Sequence, residues 1–338
     1  MELFGRNRAE LESFCKQLGH SSFRSKQIAD WLYKRGARDF SEMTNLPGAL
    51  REELAESSSI TRAEIVKQSK SPDGTVKYLL KLGDGETVET VLLPYPDRVS
   101  VCVSSQIGCS AGCTFCATAE SGLVRNLTAG EIVDQVLTLQ EHSGKRVTHV
   151  VFMGMGEPLM NMPNVLKAIH LLNEEVGIAM RRLTISTVGI TPAIGKLAEM
   201  DLQLTLAISL HAPDDALRQK LIPLASKFPL RDLIQACRNY ADRTKRRITF
   251  EYLLIAGTND SPTQAVKLAK LLKGILCHVN LIPYNEVHGK PYARPSRKVV
   301  AAFKEVLERE GVEVTQRMER GHSISGACGQ LRRSERLA

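Results

Sequence analysis

The sequence predicts an α/β protein in which helices cover a parallel sheet and a smaller module of helices and strands precedes it. Three observations support this prediction. After about residue 98, strand-like apolar runs alternate with stretches of helical periodicity in six β-α units. Apolar periodicity predicts helices in the first ~60 residues, whereas residues 61–94 contain short runs of alternating apolar and polar residues. A chain of 338 residues fits one barrel-sized domain with a small appendage.

The N-terminal module is predicted from apolar periodicity and from its turn residues. Helices are expected at 8–18, 24–34 and 47–55, with glycine and serine residues between them. Asp73-Gly74 and Asp84-Gly85 are typical of tight hairpin turns. We therefore expect the strands beside these two turns to pair as hairpins.

The remaining elements supply the parallel sheet. Expected strands are 99–105, 147–153, 182–187, 202–209, 248–255 and 278–283. Expected helices are 129–141, 163–174, 191–200, 231–243, 261–272 and 296–310. Such a sheet is either open and doubly wound or curled into a partial barrel. In both forms the chemistry gathers at the C-terminal ends of the strands.

Three cysteines follow the first of these strands, at positions 109, 113 and 116. A structural zinc site needs four ligands, usually as two pairs. Three thiolates on one short loop suit a [4Fe–4S] cluster that leaves one iron without a protein ligand. Three buried core cysteines, or a zinc site completed from elsewhere, are the alternatives. Glycines and a serine between the cysteines indicate a loop, so we predict that Cys109, Cys113 and Cys116 bind a cluster.

The second strand ends in a glycine-rich turn that contains Gly154, Gly156 and Glu157. A dinucleotide-binding fingerprint would need a third glycine, but Leu159 occupies that position. An ordinary β-α turn is the alternative reading. The carboxylate of Glu157, at the functional edge of the sheet, suits a ligand ammonium group.

Polar side chains also follow the third, fourth and sixth strands. One such residue is usually a helix cap. Several at one edge, in a chain that also carries the cysteine motif, favour a shared ligand pocket. The residues are Ser186, Thr187, Ser209, His211 and Asn285.

The other cysteines differ in their surroundings. Cys102 lies within the first strand of the sheet, and spacing alone predicts a core residue. Cys328 lies between glycines near the C-terminus, where its thiol should be accessible and could act as a nucleophile. We predict structural roles for Cys15, Cys237 and Cys277.

Charge and composition point to a cytoplasmic protein with a polyanionic partner. Lysine and arginine number 45 against 37 acidic residues, which gives a net charge of +8. Basic clusters lie at 245–247, 294–298 and 332–336, although a solvated face is the alternative for each. No apolar run approaches the ~20 residues that span a bilayer, and the N-terminus has no apolar signal core. We expect no membrane association and no export.

Taken together, these motifs closely resemble the bacterial RlmN family of radical S-adenosylmethionine (SAM) enzymes, whose signature is the Cys-x3-Cys-x2-Cys spacing. The matching segments are 88–91, 102–116, 125–127, 154–158, 209–211, 280–285 and 328–331. The resemblance implies a partial (β/α)6 radical SAM barrel at 95–322. It also implies an RNA-binding accessory domain at 1–94 and a C-terminal segment at 323–338 that carries a methyl-accepting cysteine.

The family resemblance implies methylation of adenine C2, at adenosine 2503 in the peptidyl transferase centre of 23S rRNA and at adenosine 37 of tRNAs. Cys328 takes a methyl group from one SAM, and a second SAM at the cluster is cleaved to a 5′-deoxyadenosyl radical. That radical abstracts a hydrogen from the methyl group, and the resulting methylene radical adds to the adenine. A carboxylate matching Glu89 then removes the ring proton, and Cys102 releases the product through a transient disulfide with Cys328.

The resemblance also implies the cofactor site and the partners. Flavodoxin or ferredoxin is the expected electron donor, and a monomer the expected state. The sister Cfr family, which methylates C8, is the first alternative, and a non-catalytic metal-binding, RNA-binding protein is the second. The residues expected to bind SAM are Gly156, Glu157, Ser186, Ser209, Leu210, His211 and Asn285.

Two segments depart from the family pattern. The family commonly has Asp-Ile-Asp-Ala-Ala-Cys before the C-terminal cysteine, whereas this chain has Ser323 and Ser325 at the acidic positions. It also has Pro223-Leu224-Ala225 where Pro-Ile-Asn is usual. The C-terminal cysteine itself is retained.

Overall fold

The structure, a computed structural model of the chain, describes residues 1–318 and 320–331, without the side chain of His322. Residue 319 and residues 332–338 lie outside the described part, and with them the basic cluster predicted at 332–336. Within the described residues, no helix combines the length and apolar character needed to cross a lipid bilayer.

The helices agree closely with those expected from periodicity. Capping boxes start two of them, because Asn7 and Thr128 each exchange side-chain and backbone hydrogen bonds with the glutamate three residues later. One short helix, α7, was not expected from the sequence. The helices are α1 (Arg8–Gln17), α2 (Phe23–Tyr33), α3 (Gly48–Ser57), α4 (Ala129–Ser143), α5 (Met162–Glu174), α6 (Thr191–Glu199), α7 (Asp215–Leu221), α8 (Leu230–Thr244), α9 (Pro262–Leu272) and α10 (Arg297–Arg309).

The strands include every one that the sequence predicts, together with three shorter ones. The additional strands are β5, β6 and β12, each too short for a reliable periodic signal. The full set is β1 (Glu64–Lys70), β2 (Val76–Lys81), β3 (Thr87–Pro94), β4 (Val99–Cys102), β5 (Gln106–Gly108), β6 (Leu123–Asn126), β7 (His149–Phe152), β8 (Leu183–Thr187), β9 (Thr205–Ser209), β10 (Ile248–Leu254), β11 (Cys277–Pro283) and β12 (Val314–Gln316).

Ten of these strands form one sheet in the order β1-β2-β3-β4-β7-β8-β9-β10-β11-β12. The first four pair antiparallel, with the two predicted turns joining β1 to β2 and β2 to β3, and β4 and β7 to β12 pair in parallel. Val91 of β3 is paired with Cys102 of β4. The N-terminal strands therefore continue the sheet of the barrel rather than forming a separate one.

The parallel strands follow one another in chain order, so the sheet is wound in one direction only. It is also strongly curved. Strands β7 and β12 are five positions apart, which is about 24 Å in a flat sheet. Yet the Nη1 atom of Arg317, just after β12, lies 3.4 Å from the Sδ atom of Met153, just after β7. The sheet is thus a partial barrel, as predicted, and its C-terminal edge encloses space.

Candidate active site

The three cysteines lie on a loop between β5 and β6, which pair as a small hairpin. We call residues 109–116 the cysteine loop. The Cys109 amide donates to the Gly122 carbonyl at 2.8 Å, which anchors the start of the loop to the hairpin. The Thr114 amide donates to the Leu221 carbonyl at 3.0 Å, which anchors the middle to the end of α7. These two hydrogen bonds anchor the loop to the hairpin and to α7.

All three cysteine side chains line one cavity, where burial disfavours their charged forms. Burial raises the pKa of Cys109 to about 12 and also raises the pKa values of Cys113 and Cys116. The charges of Glu157 and Cys116 raise the pKa of Cys109 further, and those of Cys116, Cys109 and Glu157 raise that of Cys113. Three thiolates can coexist here only if a metal centre compensates their charge.

The donor set fits a [4Fe–4S] cluster held by three cysteines. The loop offers three thiols to the cavity, and the one other thiol among the described residues of its wall belongs to Cys328, on the separate C-terminal segment. A structural zinc site needs four ligands, whereas three cysteines on one loop suit a cluster that leaves one iron open. Among the described residues, no three histidine, cysteine or acidic side chains converge closely enough to hold a single metal ion. Lys290, which pairs with Glu120 at 3.1 Å, lowers the pKa of Cys116 and so favours its thiolate.

A glycine next to the cysteine loop gives a testable prediction. Gly108 has a φ of +74°, and a Cβ atom there would lie 1.8 Å from the Gly122 carbonyl oxygen. Gly108→Ala should therefore force the hairpin apart and displace Cys109. We expect bound iron after anaerobic cluster reconstitution to fall to less than about half the wild-type value, because a displaced ligand weakens the site.

Gly144→Ala is the matched control for this substitution. Gly144 has a similar φ of +64°, but no atom within 4 Å would meet its Cβ. The Gly144→Ala substitution should cost only about 1 kcal/mol of stability, through backbone strain, and should leave the iron content unchanged. Equal iron content in the two variants would contradict the predicted displacement.

A large cavity of about 960 Å³ opens at the C-terminal edge of the parallel sheet, against the cysteine loop. Residues that follow or end β7 to β12 contribute to its wall, as expected for this edge. Leu210 instead packs in the main apolar core, and Asn285 lines an adjoining cavity. The predicted SAM-binding residues that line the large cavity are Gly156, Glu157, Ser186, Ser209 and His211.

Glu157 is held rigidly at the wall of the large cavity. Its Oε1 accepts a hydrogen bond from the Leu159 amide at 3.0 Å, and its Oε2 accepts one from the Val188 amide at 2.7 Å. Gly156 permits this position, because its φ is +101° and a Cβ atom would lie 2.6 Å from the Cβ of Gln106. Burial raises the pKa of Glu157 against these hydrogen bonds, so a cationic ligand would further stabilise its charge.

His211 is a neutral hydrogen-bonding group in the same wall. Its Nδ1 accepts from the Leu253 amide at 3.0 Å, which leaves the ring proton on Nε2. Burial and the nearby Arg218 lower its pKa to about 3. The ring packs edge-to-face against Phe115, 5.1 Å between centroids, which connects this strand end to the cysteine loop.

A smaller cavity of about 610 Å³ adjoins the large one and brings Cys102 and Cys328 together. Cys328 lines both cavities. Both thiols are reduced, and burial raises the pKa of Cys102 to about 12. Spacing alone predicted a core residue at position 102. The side chain is indeed buried, but it also faces this cavity.

Glu89 lies on β3, on the same face as Val91 and Leu93, which line the small cavity. Its carboxylate is buried, and Lys77 Nζ lies 2.8 Å from its Oε1. The two residues belong to adjacent strands, so the hairpin register brings them together. The lysine and the glutamate form an ion pair across the two strands.

The C-terminal segment bridges the N-terminal hairpin and the cysteine loop. Ser323, which stands where the family has aspartate, has its Oγ 3.0 Å from that of Ser71. At the other end, the Gly329 carbonyl accepts from the Ala117 amide at 2.9 Å, just after the cysteine loop. Cys328 lies between these two attachments.

Sequence reasoning missed two charged residues that line the large cavity, Arg317 and Glu251, and the lysine that pairs with Glu89. Lys77 could be found only from the hairpin register, and Arg317 only from the short strand β12. Glu251 lies in the middle of β10, where its buried carboxylate accepts from Asn280 Nδ2 at 2.8 Å. A glutamate within an apolar strand was the only signal available in the sequence.

Comparison with known proteins reveals close relatives over the whole chain. Residues 1–60 match the family described as "Ribosomal RNA large subunit methyltransferase N-terminal domain", and residues 103–269 match the "Radical SAM superfamily". A "Probable dual-specificity RNA methyltransferase RlmN" of Thermosynechococcus vestitus is 51% identical over 338 residues, with 100% of both chains covered. That of Gloeobacter violaceus is 50% identical, covering 98% of this chain and 95% of its own.

A solved structure extends this similarity to three dimensions. The crystal structure of a radical SAM methyltransferase from Sphaerobacter thermophilus superposes with a TM-score of 0.94 at 46% sequence identity. The match covers 98% of this chain and 99% of that one. The similarity therefore includes the N-terminal module as well as the barrel.

Proposed function

The chain belongs to the RlmN family of radical SAM RNA methyltransferases, and from this premise we propose that it methylates C2 of an adenosine in 23S rRNA and in tRNA. The observation that carries the proposal is the meeting of Cys102 and Cys328 in a cavity that adjoins the three-cysteine loop. A radical SAM enzyme without a methyl-carrying cysteine has no need of the second pair of thiols.

The cysteine loop and the large cavity would hold the cofactors. Cys109, Cys113 and Cys116 would bind the [4Fe–4S] cluster, and Glu157 would accept hydrogen bonds from the amino group of SAM. When bound, the cluster supplies the electron that splits SAM reductively. The serines at the ends of β8 and β9, whose Oγ atoms lie 3.5 Å apart, would hydrogen-bond the nucleoside part of SAM.

The small cavity would carry the methyl transfer chemistry. The ring carbon C2 of adenine is not nucleophilic, so a direct attack on SAM is excluded. Cys328 would first accept the methyl group. Loss of a hydrogen atom to a SAM-derived radical would convert that group to a methylene radical, which would bond to the adenine carbon. Glu89 would then accept the ring proton, and the remaining unpaired electron would return to the cofactor centre. Cys102 would then attack the Cys328 sulfur, forming a disulfide and releasing methyladenosine. Burial of Cys102 keeps it protonated until that step.

The RNA substrate would meet the protein mainly through its phosphates. The net charge of +8 favours a polyanion, and an adenine within folded RNA must be splayed out to reach the small cavity. Flavodoxin or ferredoxin would supply the reducing electron.

Nucleoside mass spectrometry on unmodified 23S rRNA and tRNA tests this proposal. The reconstituted protein is incubated anaerobically with reductant and methyl-labelled SAM, and Cys113→Ala serves as the control that lacks a cluster ligand. We expect labelled 2-methyladenosine with the wild-type protein only. Labelled 8-methyladenosine would overturn the C2 assignment in favour of Cfr-type chemistry. No labelled nucleoside, despite SAM cleavage, would overturn the proposed substrate.

A further inference from the structure

Three large apolar side chains are exposed on the hairpin and the turn that flank the cysteine loop. Leu123 and Val124 belong to β6, and Met160 lies in the turn Pro158–Asn161 between β7 and α5. Their exposed fractions are 42%, 41% and 42%. Side chains of these types are normally buried, and neighbouring exposed ones mark interaction sites more often than isolated ones do. We call these three residues the apolar patch.

The apolar patch lies against the part of the cysteine loop that carries Cys109. Ser110 Oγ is 3.5 Å from the Met160 sulfur, so Met160 contacts the residue that follows this cysteine. Gly108 precedes the cysteine, and a Cβ atom there would lie 3.4 Å from the Cα of Leu123. A partner bound to the patch would therefore sit beside both chain neighbours of a predicted cluster ligand.

Two exposed lysines border the same loop. Lys220 lies in the last turn of α7, and its carbonyl accepts a hydrogen bond from Thr114 Oγ1 at 3.4 Å. Lys227 ends the short helix that follows α7, and in that helix the Leu224 amide donates to the Ala111 carbonyl of the loop at 3.3 Å. Within the described part of the chain, neither ammonium group has an acidic side chain within 4.0 Å.

The carboxylates on the neighbouring elements are already paired. Glu120, just after the cysteine loop, pairs with Lys290 at 3.1 Å. Asp84 and Glu131 both pair with Arg125 of β6, each at 2.8 Å. The two lysines therefore leave an excess of positive charge beside the apolar patch, which suits a partner with an acidic surface.

We propose that the apolar patch, together with Lys220 and Lys227, is the docking surface for the electron donor, a small acidic redox protein. This inference rests on the proposed function. Electron-transfer interfaces are small and transient, and charges at their rim steer the encounter of the two proteins. In the step that this surface serves, the donor is oxidised by one electron and the cluster is reduced by one, with no covalent bond to this protein.

An RNA is the other polyanion that two lysines would attract. Surfaces that bind unpaired RNA combine basic side chains with aromatic rings on which the bases stack, whereas the apolar patch is aliphatic. The adenine is proposed to enter the small cavity, and no described residue of the cysteine loop lines that cavity. The electron must reach the cluster, which the loop would hold. These observations favour a redox protein over RNA.

The test measures one-electron reduction of the full-length, cluster-loaded protein by reduced flavodoxin, followed by stopped flow as the visible absorbance of the cluster decreases. One variant, Met160→Glu, places a charge in the apolar patch. The other, Lys220→Glu with Lys227→Glu, reverses the charge beside it. Binding of oxidised flavodoxin is measured separately from its flavin fluorescence, which does not depend on electron transfer.

Two matched controls lie at the opposite end of the barrel. Met200→Glu changes a methionine that is 45% exposed at the end of α6. Lys270→Glu with Lys273→Glu reverses two exposed lysines at the end of α9, beside the start of β11. In a β/α barrel these helix ends face the N-terminal edge of the sheet, away from the cysteine loop.

We expect each patch variant to lower the second-order rate constant for reduction by flavodoxin at least about tenfold, because docking area or steering charge is lost. The affinity for oxidised flavodoxin should fall in parallel. The lysine variant should also lose the acceleration at low ionic strength that steering gives the wild type. Reduction by dithionite, a small reductant that needs no docking surface, should stay within about threefold of wild type. Both controls should match the wild type with either reductant.

An unchanged rate with flavodoxin in either patch variant would overturn the proposal, because it requires both the apolar contact and the charge. An equal loss with dithionite would also overturn it, since that result indicates damage to the cluster. Weaker tRNA binding by the lysine variant, with flavodoxin reduction unaffected, would assign the surface to RNA instead. Methyladenosine formation with dithionite is followed on the same samples. If the wild type forms none while the patch variants lose flavodoxin reduction, the proposed function fails and the docking surface stands.

Discussion

Replacing Cys328 with alanine is expected to abolish both methyl uptake by the protein and formation of methyladenosine. The proposed mechanism passes every methyl group through this sulfur, and no other thiol lines both cavities among the described residues. Removing the nucleophile of a covalent mechanism costs on the order of 10⁶-fold in rate, so product should fall below detection. The measurement is label transfer from methyl-labelled SAM, followed separately in protein and in RNA.

Cys277→Ala is the matched control for this substitution. Cys277 is also partly buried, but it lies at the start of β11, away from both cavities. It should retain methyl uptake and product. SAM cleavage without RNA should survive in Cys328→Ala, because the cluster ligands are intact. Methyladenosine formation by Cys328→Ala at more than a trace would show that the methyl group does not travel through this cysteine.

Replacing Cys102 with alanine is expected to trap the protein on its RNA. Cys102 faces Cys328 in the small cavity and is proposed to attack its sulfur after the methylene group has bonded to adenine. Without that thiol the bond between Cys328 and the nucleoside should persist. A covalent protein–RNA species should therefore accumulate to about one equivalent of enzyme, while released product stays at trace level. Denaturing electrophoresis with labelled RNA detects it.

The control for trapping is Cys15→Ala, which removes a buried cysteine from α1. It should release product without forming a stable crosslink. A double variant, Cys102→Ala with Cys328→Ala, should form no crosslink, which identifies the sulfur that carries the RNA. Normal product release by Cys102→Ala would refute the resolving role.

The sequence predicted the helices and strands because the patterns that identify them are local. Each predicted helix and strand is present, since periodicity of 3.6 or 2 residues over six or more positions is sufficient to identify an element. The direction of winding was left open, because no local pattern encodes the order of strands in a sheet. The family resemblance predicted the partial barrel, and the contact between Arg317 and Met153 now shows its curvature.

The site could be predicted only in part, because local sequence patterns do not show which distant residues meet in the fold. The spacing of the three cysteines places them on one loop, whereas the meeting of Cys102 and Cys328 depends on curvature across the whole sheet. The pair of Lys77 and Glu89 depends on hairpin register. The side chain of Leu210, which the family resemblance assigns to SAM binding, packs in the core, and that assignment stays a prediction. The catalytic roles of these residues stay predictions.

The curvature of the sheet would also give a disulfide between the two central cysteines a mechanical effect. Cys102 ends the first parallel strand, and Cys328 follows the last, with more than two hundred residues between them. A disulfide between them would covalently link the first parallel strand of the barrel to the segment that follows the last one. Closing a loop of that length stabilises a chain by about 5 kcal/mol in the entropic account. The oxidised enzyme would then have a higher melting temperature than the reduced one. The melting temperature would therefore report whether this disulfide has formed.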